Sequence, residues 1–480
     1  MSPPDPHSRS RVVSVSPKPP EKSAYALARY SRSPDSIRDS IQWVRSHNSQ
    51  AFLESFYFQY GHQSIADLGH TILCFEGVSE LAATEIEDET LWDGQAKSTR
   101  YQDFSKTGFI TPPEFRAPQA AVYQQAAQGL LEAYIKVHAL ALGHLQEKLP
   151  MPPAMKPATY ERNLRARAFD VSRYLLFWGV PTQVGQVTSI RTLEKQIRRL
   201  RASPYAELRE VAEEISAACE TEPACVWTEG DKEPLAPTLA RHAGQDRYAL
   251  ESRADLLAWA AQNLQHFEGP EPGRVDLVRP HDPVTESVAT LLYPVTDHPF
   301  RSLHEIASGW SDGQKKEVID VACRARGKRD ELPAAFRGGL FVFDMLIDLG
   351  AYRDMHRHRR CHQYRQAYSG AHGFETPPLV AAAGAESIYA TAMGSALETM
   401  RGLPAPGNQY LMPFGARSRF LFKMDFAEAE YISRVRSGVK GHFSYREIAW
   451  EMKQRITEVE PALGNLIDAT PPWVEDPLVR

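Results

Sequence analysis

Apolar positions recur at helical spacing in several long stretches of the chain. AAVYQQAAQGLLEAYIKVHALALGHLQ (120–146), PYAELREVAEEISAAC (204–219) and YALESRADLLAWAAQNLQHF (248–267) each predict a helix. Ser203 reads as the N-cap of the second, with Pro204 at its first position. Near the other end, FSYREIAWEM (443–452) contains Ser444 and Glu447 in S-x-x-E relation, a capping box that predicts a helix start and puts Arg446 in its first turn. An apolar stretch, GGLFVFDMLIDLGAY (338–352), leads directly into RDMHRHRRCHQYR (353–365). If the helical reading continues through the basic run, Arg353 and Arg357 lie one turn apart.

These elements come in the same order twice. GFITPPEF (Gly108–Phe115) and GFETPPLV (Gly373–Val380) are near copies, and comparable segments flank each. GHTILCFEGVSELAATEIEDETLWDGQAKSTRY precedes the first, and AAFRGGLFVFDMLIDLGAYRDMHRHRRCHQYRQAY precedes the second. PYAELREVAEEI follows the first copy late in its half, as FSYREIAWEM follows the second. The order implies a duplicated domain. The expected organisation is a disordered tail over 1–22, a first domain over 23–267, a linker over 268–287 marked by EGPEPG, and a second domain over 288–480.

Composition changes this picture little. The 480 residues suffice for about two to three domains. A net charge of −5 is mild for that size and argues neither for a nucleic-acid coat nor for a membrane-surface protein. No apolar run approaches the roughly 18 residues of a membrane span, and the start lacks the apolar region of a signal peptide. Cys74, Cys219, Cys225, Cys323 and Cys361 form no CxxC pair, so they read as reduced thiols of a cytoplasmic protein without a metal site.

Candidate chemistry concentrates in three places. The basic run 353–365 crowds five arginines and three histidines around one aspartate, a cost that a bound anion relieves. A solvated basic face is the alternative. Arg446 and its first-half counterpart Arg209 stand near helix starts, where free backbone N–H groups and an arginine together suit an anionic ligand. In AKSTRYQDF, Ser98, Arg100 and Tyr101 offer a hydroxyl, a guanidinium and an aromatic ring, a set that occurs often by chance.

The order YGHQS, FEGVS, S-x-R-Y, a long helix, RYLL, S-x-R-x-L and AELREVA resembles the flavin-dependent thymidylate synthases, over roughly Ala24–Ala218 and Val288–Thr457. The resemblance implies an α/β (α+β) fold, two tandem helix-rich domains with a small sheet each. It implies FAD bound among subunits and reductive methylation of a pyrimidine nucleotide, dUMP, at C5, with methylenetetrahydrofolate as carbon donor and NADPH as reductant. On matching positions, Ser98, Arg100, Tyr101 and Arg173 are the expected substrate contacts, and Arg357, His358 and Arg359 the expected flavin contacts. Arg209 and Arg446 are the expected catalytic arginines that polarise the pyrimidine. Tandem domains imply a homodimer that imitates the family's tetramer.

The two copies depart from the family pattern in complementary ways. Asp88, Glu89 and Thr90 stand in the first half where R-H-R is expected, while the S-x-R-Y pattern dissolves in the second. Gln409 replaces an arginine before YLMP, and Asp425-Phe426-Ala427 replaces N-x-R. Asp67-Leu68 and Arg337-Gly338 stand where the family often has Glu-His. Two readings follow: sites that combine flavin contacts from one half with nucleotide contacts from the other, or a non-catalytic protein binding nucleotide or RNA through the Arg/His run.

Overall fold

The computed structural model describes residues 19–31, 33, 36–55, 63–220, 234, 236–245, 274–278, 282–292, 300–323 and 332–478. The elements used below are α1 (Pro20–Tyr30), β1 (His70–Ser79), α2 (Glu80–Glu87), β2 (Trp92–Ala96), α3 (Ala117–Lys148), α4 (Pro157–Ser172), β3 (Pro181–Ser189), α5 (Ile190–Arg201) and α6 (Ala206–Glu220). They continue with β4 (Val275–Val278), β5 (Leu340–Asp348), α7 (Leu349–Met355), β6 (His362–Arg365), α8 (Glu386–Gly402), β7 (Arg417–Asp425), α9 (Phe426–Arg436) and α10 (Phe443–Val459). The fold is helix-rich with two small antiparallel sheets, as expected.

Both sheets repeat one plan. The first has the order β1-β3-β2, the second β4-β5-β7-β6. In each, two long strands pair end to end, His70 opposite Ser189 in one and Leu340 opposite Asp425 in the other. Each long strand runs straight into a helix whose N-cap is the strand's last residue. The side chains of Ser79, Ser189, Asp348 and Asp425 accept from the N–H groups of Ala82, Thr192, Ala351 and Glu428, so each strand ends where a small oxygen-bearing side chain caps a helix. Strand β7 alternates throughout and β5 up to Ile347, turning Phe341, Phe343, Met345, Phe420, Phe422 and Met424 inward.

The octets are equivalent turns. Gly108 and Gly373 have φ of 68° and 66°, a left-handed conformation in which a side chain is strained. The hydroxyl of Tyr123 then donates to Ile110 O, and that of Tyr389 to Glu375 O, each at 2.8 Å. A Cβ on Gly179 would lie 2.1 Å from the Tyr123 hydroxyl and one on Gly415 2.5 Å from that of Tyr389. The octets are therefore the trace of a duplication.

The described residues divide into two compact units, and these do not follow the sequence halves. Unit 1 takes the residues up to Lys97, Pro112–Glu114 and those from Pro181 to Gln245; unit 2 takes Ser98–Thr111, Phe115–Val180 and those from Arg274 onward. Helices α3 and α4 of the first repeat thus share a core with the second repeat. Within unit 2, the segments 174–179 and 410–415 pair about a local dyad. Trp178 N donates to Met412 O and Phe414 N to Leu176 O; Gly179 N donates to Tyr410 O and Gly415 N to Tyr174 O. Their side chains, among them Leu176, Phe177, Trp178, Leu411 and Phe414, are fully buried.

Several local expectations shift. Residues 1–18, the helix expected over 248–267, Cys225 and the EGPEPG linker lie outside the described residues. Helix α1 already starts at Pro20, and the expected linker contains β4, which pairs with β5 from Val275 to Val278, and a helix from Pro283. The helix expected through 353–365 stops at Met355, because the open edge of β7 takes His362–Arg365 as a fourth strand. Helix α10 is capped by His442, whose ring accepts from Ser444 N, and the Ser444 hydroxyl donates instead to Asp348. Helix α6 begins at Ala206, where the Glu114 carboxylate accepts from Ala206 N at 2.6 Å.

Among the described residues, no helix is long and apolar enough to cross a membrane.

Candidate functional site

Unit 2 brings residues of both repeats to one place. Strand β5 ends in Asp348, whose cap sets α7, and α7 delivers Arg353 and Asp354. Arg353 Nη1 donates to Thr99 Oγ1 at 2.9 Å, and its guanidinium lies 4.9 Å over the Phe414 ring. Arg173, 1% exposed, donates to Asp354 Oδ2 from Nη1 and Nη2 at 3.2 and 3.3 Å, and to Gly350 O at 3.2 Å. The other carboxylate oxygen of Asp354 lies 3.9 Å from Nη2 of Arg357, whose side chain is well exposed.

Arg100 completes the cluster from the first repeat. Its Nε donates to Asp170 Oδ1 at 2.7 Å, Nη1 to the Tyr445 hydroxyl at 3.0 Å and Nη2 to Lys440 O at 3.1 Å. Ser98 Oγ accepts from Arg100 N, and the exposed Tyr101 ring lies 5.5 Å from the Arg100 guanidinium. Arg436, from the end of α9, donates through Nε to His358 Nε2 at 2.8 Å and lies 5.6 Å over the Tyr445 ring.

This arrangement fixes the charges. Burial alone would raise the Asp354 carboxyl, but Arg173, Arg357, Arg436 and Arg100 outweigh it and hold the pKa below the ordinary value. Burial likewise works against the charge on Arg100, and Asp170 overcomes it. At His358 burial lowers the pKa, Arg436 and Arg357 lower it further, and Glu428 opposes them, so the ring is neutral at pH 7. Because Arg436 donates to Nε2, the ring proton sits on Nδ1, 3.5 Å from Glu428 Oε1. Arg100, Arg173, Arg353, Arg357 and Arg436 thus outnumber Asp170, Asp354 and Glu428, and the cluster suits an anion.

The expected site residues divide accordingly. Ser98, Arg100, Tyr101, Arg173, Arg357 and His358 do gather in unit 2. Arg100 and Arg173 each bond an internal acid, Asp170 and Asp354, as well as neighbouring oxygens, whereas Tyr101 and Arg357 face solvent; Arg359 is half-buried. Arg446, 2% exposed, donates from Nε to Ser437 O and from Nη2 to Pro471 O and Val474 O. Arg209 belongs to unit 1, is exposed and lines a cavity of about 410 Å³ with Arg201, Ala206, Glu210, Glu213 and Gln245. In the same unit Glu89 accepts from Arg199 Nε at 2.9 Å. Burial pushes the thiols of Cys219 and Cys361 up to about 12, so neither is a ready nucleophile at neutral pH.

Sequence reading passed over Asp170, Asp354, Arg436 and Tyr445. Only Asp354 carried a signal, as the single acid inside the basic run.

The family described as Thymidylate synthase complementing protein matches residues 11–222 and 296–462. A UPF0159 protein from Chlamydia muridarum is 25% identical over 421 residues, 85% of this chain and 78% of the relative. A UPF0159 protein from Thermoplasma acidophilum is 22% identical, covering 92% of this chain and 93% of its own length. Among solved structures, the chain is similar to the flavin dependent thymidylate synthase ThyX from Helicobacter pylori complexed with FAD and dUMP. That match has 16% identity and a TM-score of 0.29 over 40% of this chain and 99% of that one.

Proposed function

The chain belongs to the thymidylate synthase complementing protein family, and from that premise we propose that it carries out a flavin-assisted modification at C5 of a pyrimidine nucleotide such as dUMP. The observation that carries this reading is the convergence, within one compact unit, of Ser98, Arg100, Tyr101 and Arg173 from the first repeat with Arg353, Arg357 and His358 from the second. The surplus of guanidinium groups fits a phosphate-bearing cofactor or substrate.

Arg357 and Arg359 hold the phosphates of FAD, with neutral His358 fixing the backbone between them. Ser98, Tyr101 and Arg353 receive the nucleotide. Arg100 and Arg173 act from behind, locked by Asp170 and Asp354. Bound flavin supplies the redox chemistry; the chain's own residues bind, orient and neutralise. Of the two arginines expected to polarise the pyrimidine, Arg209 is exposed in unit 1 and Arg446 is buried in unit 2. NADPH and methylenetetrahydrofolate enter the assay as added reductant and carbon donor.

The test is spectroscopic and calorimetric. The purified protein, or the protein reconstituted with FAD, should show flavin absorbance and bind dUMP with measurable heat. A colourless protein that takes up neither ligand would overturn the reading.

We also propose the homodimer implied by the duplication. A groove of about 620 Å³ between α3 and α8 is lined by Ala126, Gly129, Ala133, Ala392 and Ser395, small residues that let helices approach closely. Glu132 and Lys136 stand on the same groove, and across a two-fold each meets its opposite charge on a second copy. Light scattering should give the dimer mass, and Ser395→Arg, at an exposed groove position, should give monomer; a wild-type monomer at micromolar concentration removes the proposal.

A further inference from the structure

The two repeats treat one arginine differently. Arg209 is exposed beside an open cavity, with one hydrogen bond to its own loop, from Nη1 to Ser203 O at 2.7 Å. Arg446 holds the same place in the second repeat and is closed by the chain's own backbone. Its Nε donates to Ser437 O at 3.0 Å, and its Nη2 to Pro471 O at 3.2 Å and Val474 O at 2.8 Å.

The segment that supplies the last two carbonyls, 470–478, contains no helix or strand and follows the buried Ile467 and Ala469. It is fastened at separate points. Thr470 N donates to Ser437 Oγ at 2.9 Å, Arg167 Nη2 donates to Asp476 O at 3.1 Å, and Asn163 Nδ2 donates to Leu478 O. Trp473 meets Trp450 edge to face at 5.4 Å yet is 72% exposed. The segment therefore buries a guanidinium while leaving much of its own surface in water.

We infer that residues 470–478 form a displaceable strap, an autoinhibitory contact that closes Arg446, and that its release opens a second pyrimidine-nucleotide site on the chain. The exchange is chemically even. Pro471 O and Val474 O are neutral sp² carbonyl oxygens, and a pyrimidine dione presents oxygens of the same kind. Replacing one by the other leaves no buried donor without an acceptor, so neither state is penalised by an unpaired group. A strap held by a few backbone contacts and one exposed ring contact is poised for that competition. In the first repeat, Arg209 lines its cavity without such a cover among the described residues.

The inference rests on the nucleotide reading, and the experiment separates the two. dUMP is titrated calorimetrically into the full chain, into the unfastened variant Arg167→Ala/Trp473→Ala, and into that variant with Arg446→Ala added. The unfastened chain should take up one more equivalent of dUMP than wild type, and Arg446→Ala should remove that equivalent. Equal stoichiometry in wild type and the unfastened variant overturns the strap alone. An added equivalent that survives Arg446→Ala overturns the assignment to Arg446. Absence of dUMP binding in all three sinks the nucleotide reading and the strap site together. Should the double variant lose its helical circular dichroism, Trp473→Ala alone repeats the measurement.

Discussion

The residue ten positions beyond the N-cap that ends the first long strand of each sheet meets an arginine on a later helix of the same repeat, and the chemistry differs. In unit 2 that residue is His358, ten beyond Asp348, and Arg436 Nε donates to it at 2.8 Å. In unit 1 it is Glu89, ten beyond Ser79, and Arg199 Nε donates to it at 2.9 Å. Neutral His358 leaves the charge of Arg436 in place. Glu89, helped by Glu85 at 3.5 Å, cancels that of Arg199. One geometry thus serves two ends: it preserves a positive field in one repeat and extinguishes it in the other. At this position an acid neutralises the arginine that a neutral histidine leaves charged.

The largest expected effect tests the position six beyond each cap. Asp354 is almost enclosed against Arg173, whose side chain is 1% exposed, whereas Glu85 faces an Arg199 that is 33% exposed. Asp354→Ala strands a buried guanidinium and should destabilise unit 2 by about 3–5 kcal/mol. Glu85→Ala should cost no more than about 1 kcal/mol, since solvent screens the exposed pair. Urea denaturation followed by circular dichroism measures both. Similar midpoints for the two variants would break the contrast between a buried and a solvated pair.

The second prediction concerns the ligand. If unit 2 alone retains the anion field, Arg357→Ala/Arg359→Ala should release flavin, each lost charge-assisted contact costing on the order of 1.5–3 kcal/mol. Asp88→Ala/Glu89→Ala should leave the flavin content unchanged. Flavin absorbance per mole of protein is the readout. Equal loss from both variants would mean that the roles are not divided between repeats as proposed.

What the sequence disclosed and what it withheld have physical causes. The long helices were legible because a period sustained over many residues is a local signal, and α3 and α6 lie where it ran. The duplication was legible in the octets because a left-handed glycine and a prolyl turn demand particular residues. The end of α7 was not legible: nothing local says that His362–Arg365 will be drawn onto β7. Nor does the neighbourhood of Ser444 reveal that its hydroxyl turns to Asp348, nearly a hundred residues away, leaving His442 to cap the helix. The division into units depends on reciprocal bonds between 174–179 and 410–415, a pairing that only the folded chain creates. Basic residues announced a cation-rich site, and Asp354 stood out as the one acid among them, but Asp170, which engages Arg100, looks ordinary in sequence.

The smallest effect is a pair of opposite pH slopes at the two equivalent positions. Burial lowers the pKa of His358 below its unfolded value of about 6.5. The native state therefore prefers the neutral ring, and its contribution is whole above pH ~6.5 and is lost as pH falls through the lower folded pKa. Burial raises Glu89 above the ordinary carboxylate value, and the coulombic field and hydrogen bond of Arg199 only partly oppose it. Its contribution is whole below the unfolded pKa of about 4.3 and declines as pH rises through the folded one. His358→Gln should flatten the acid-side loss of stability, and Glu89→Gln should flatten the decline above pH ~4.3, each variant leaving the other's slope intact. Chemical denaturation at intervals from pH 4 to 8 reads both. A Glu89→Gln variant with the wild-type slope would mean that Arg199 fully compensates burial there, and the acid would then silence the site at no cost in stability.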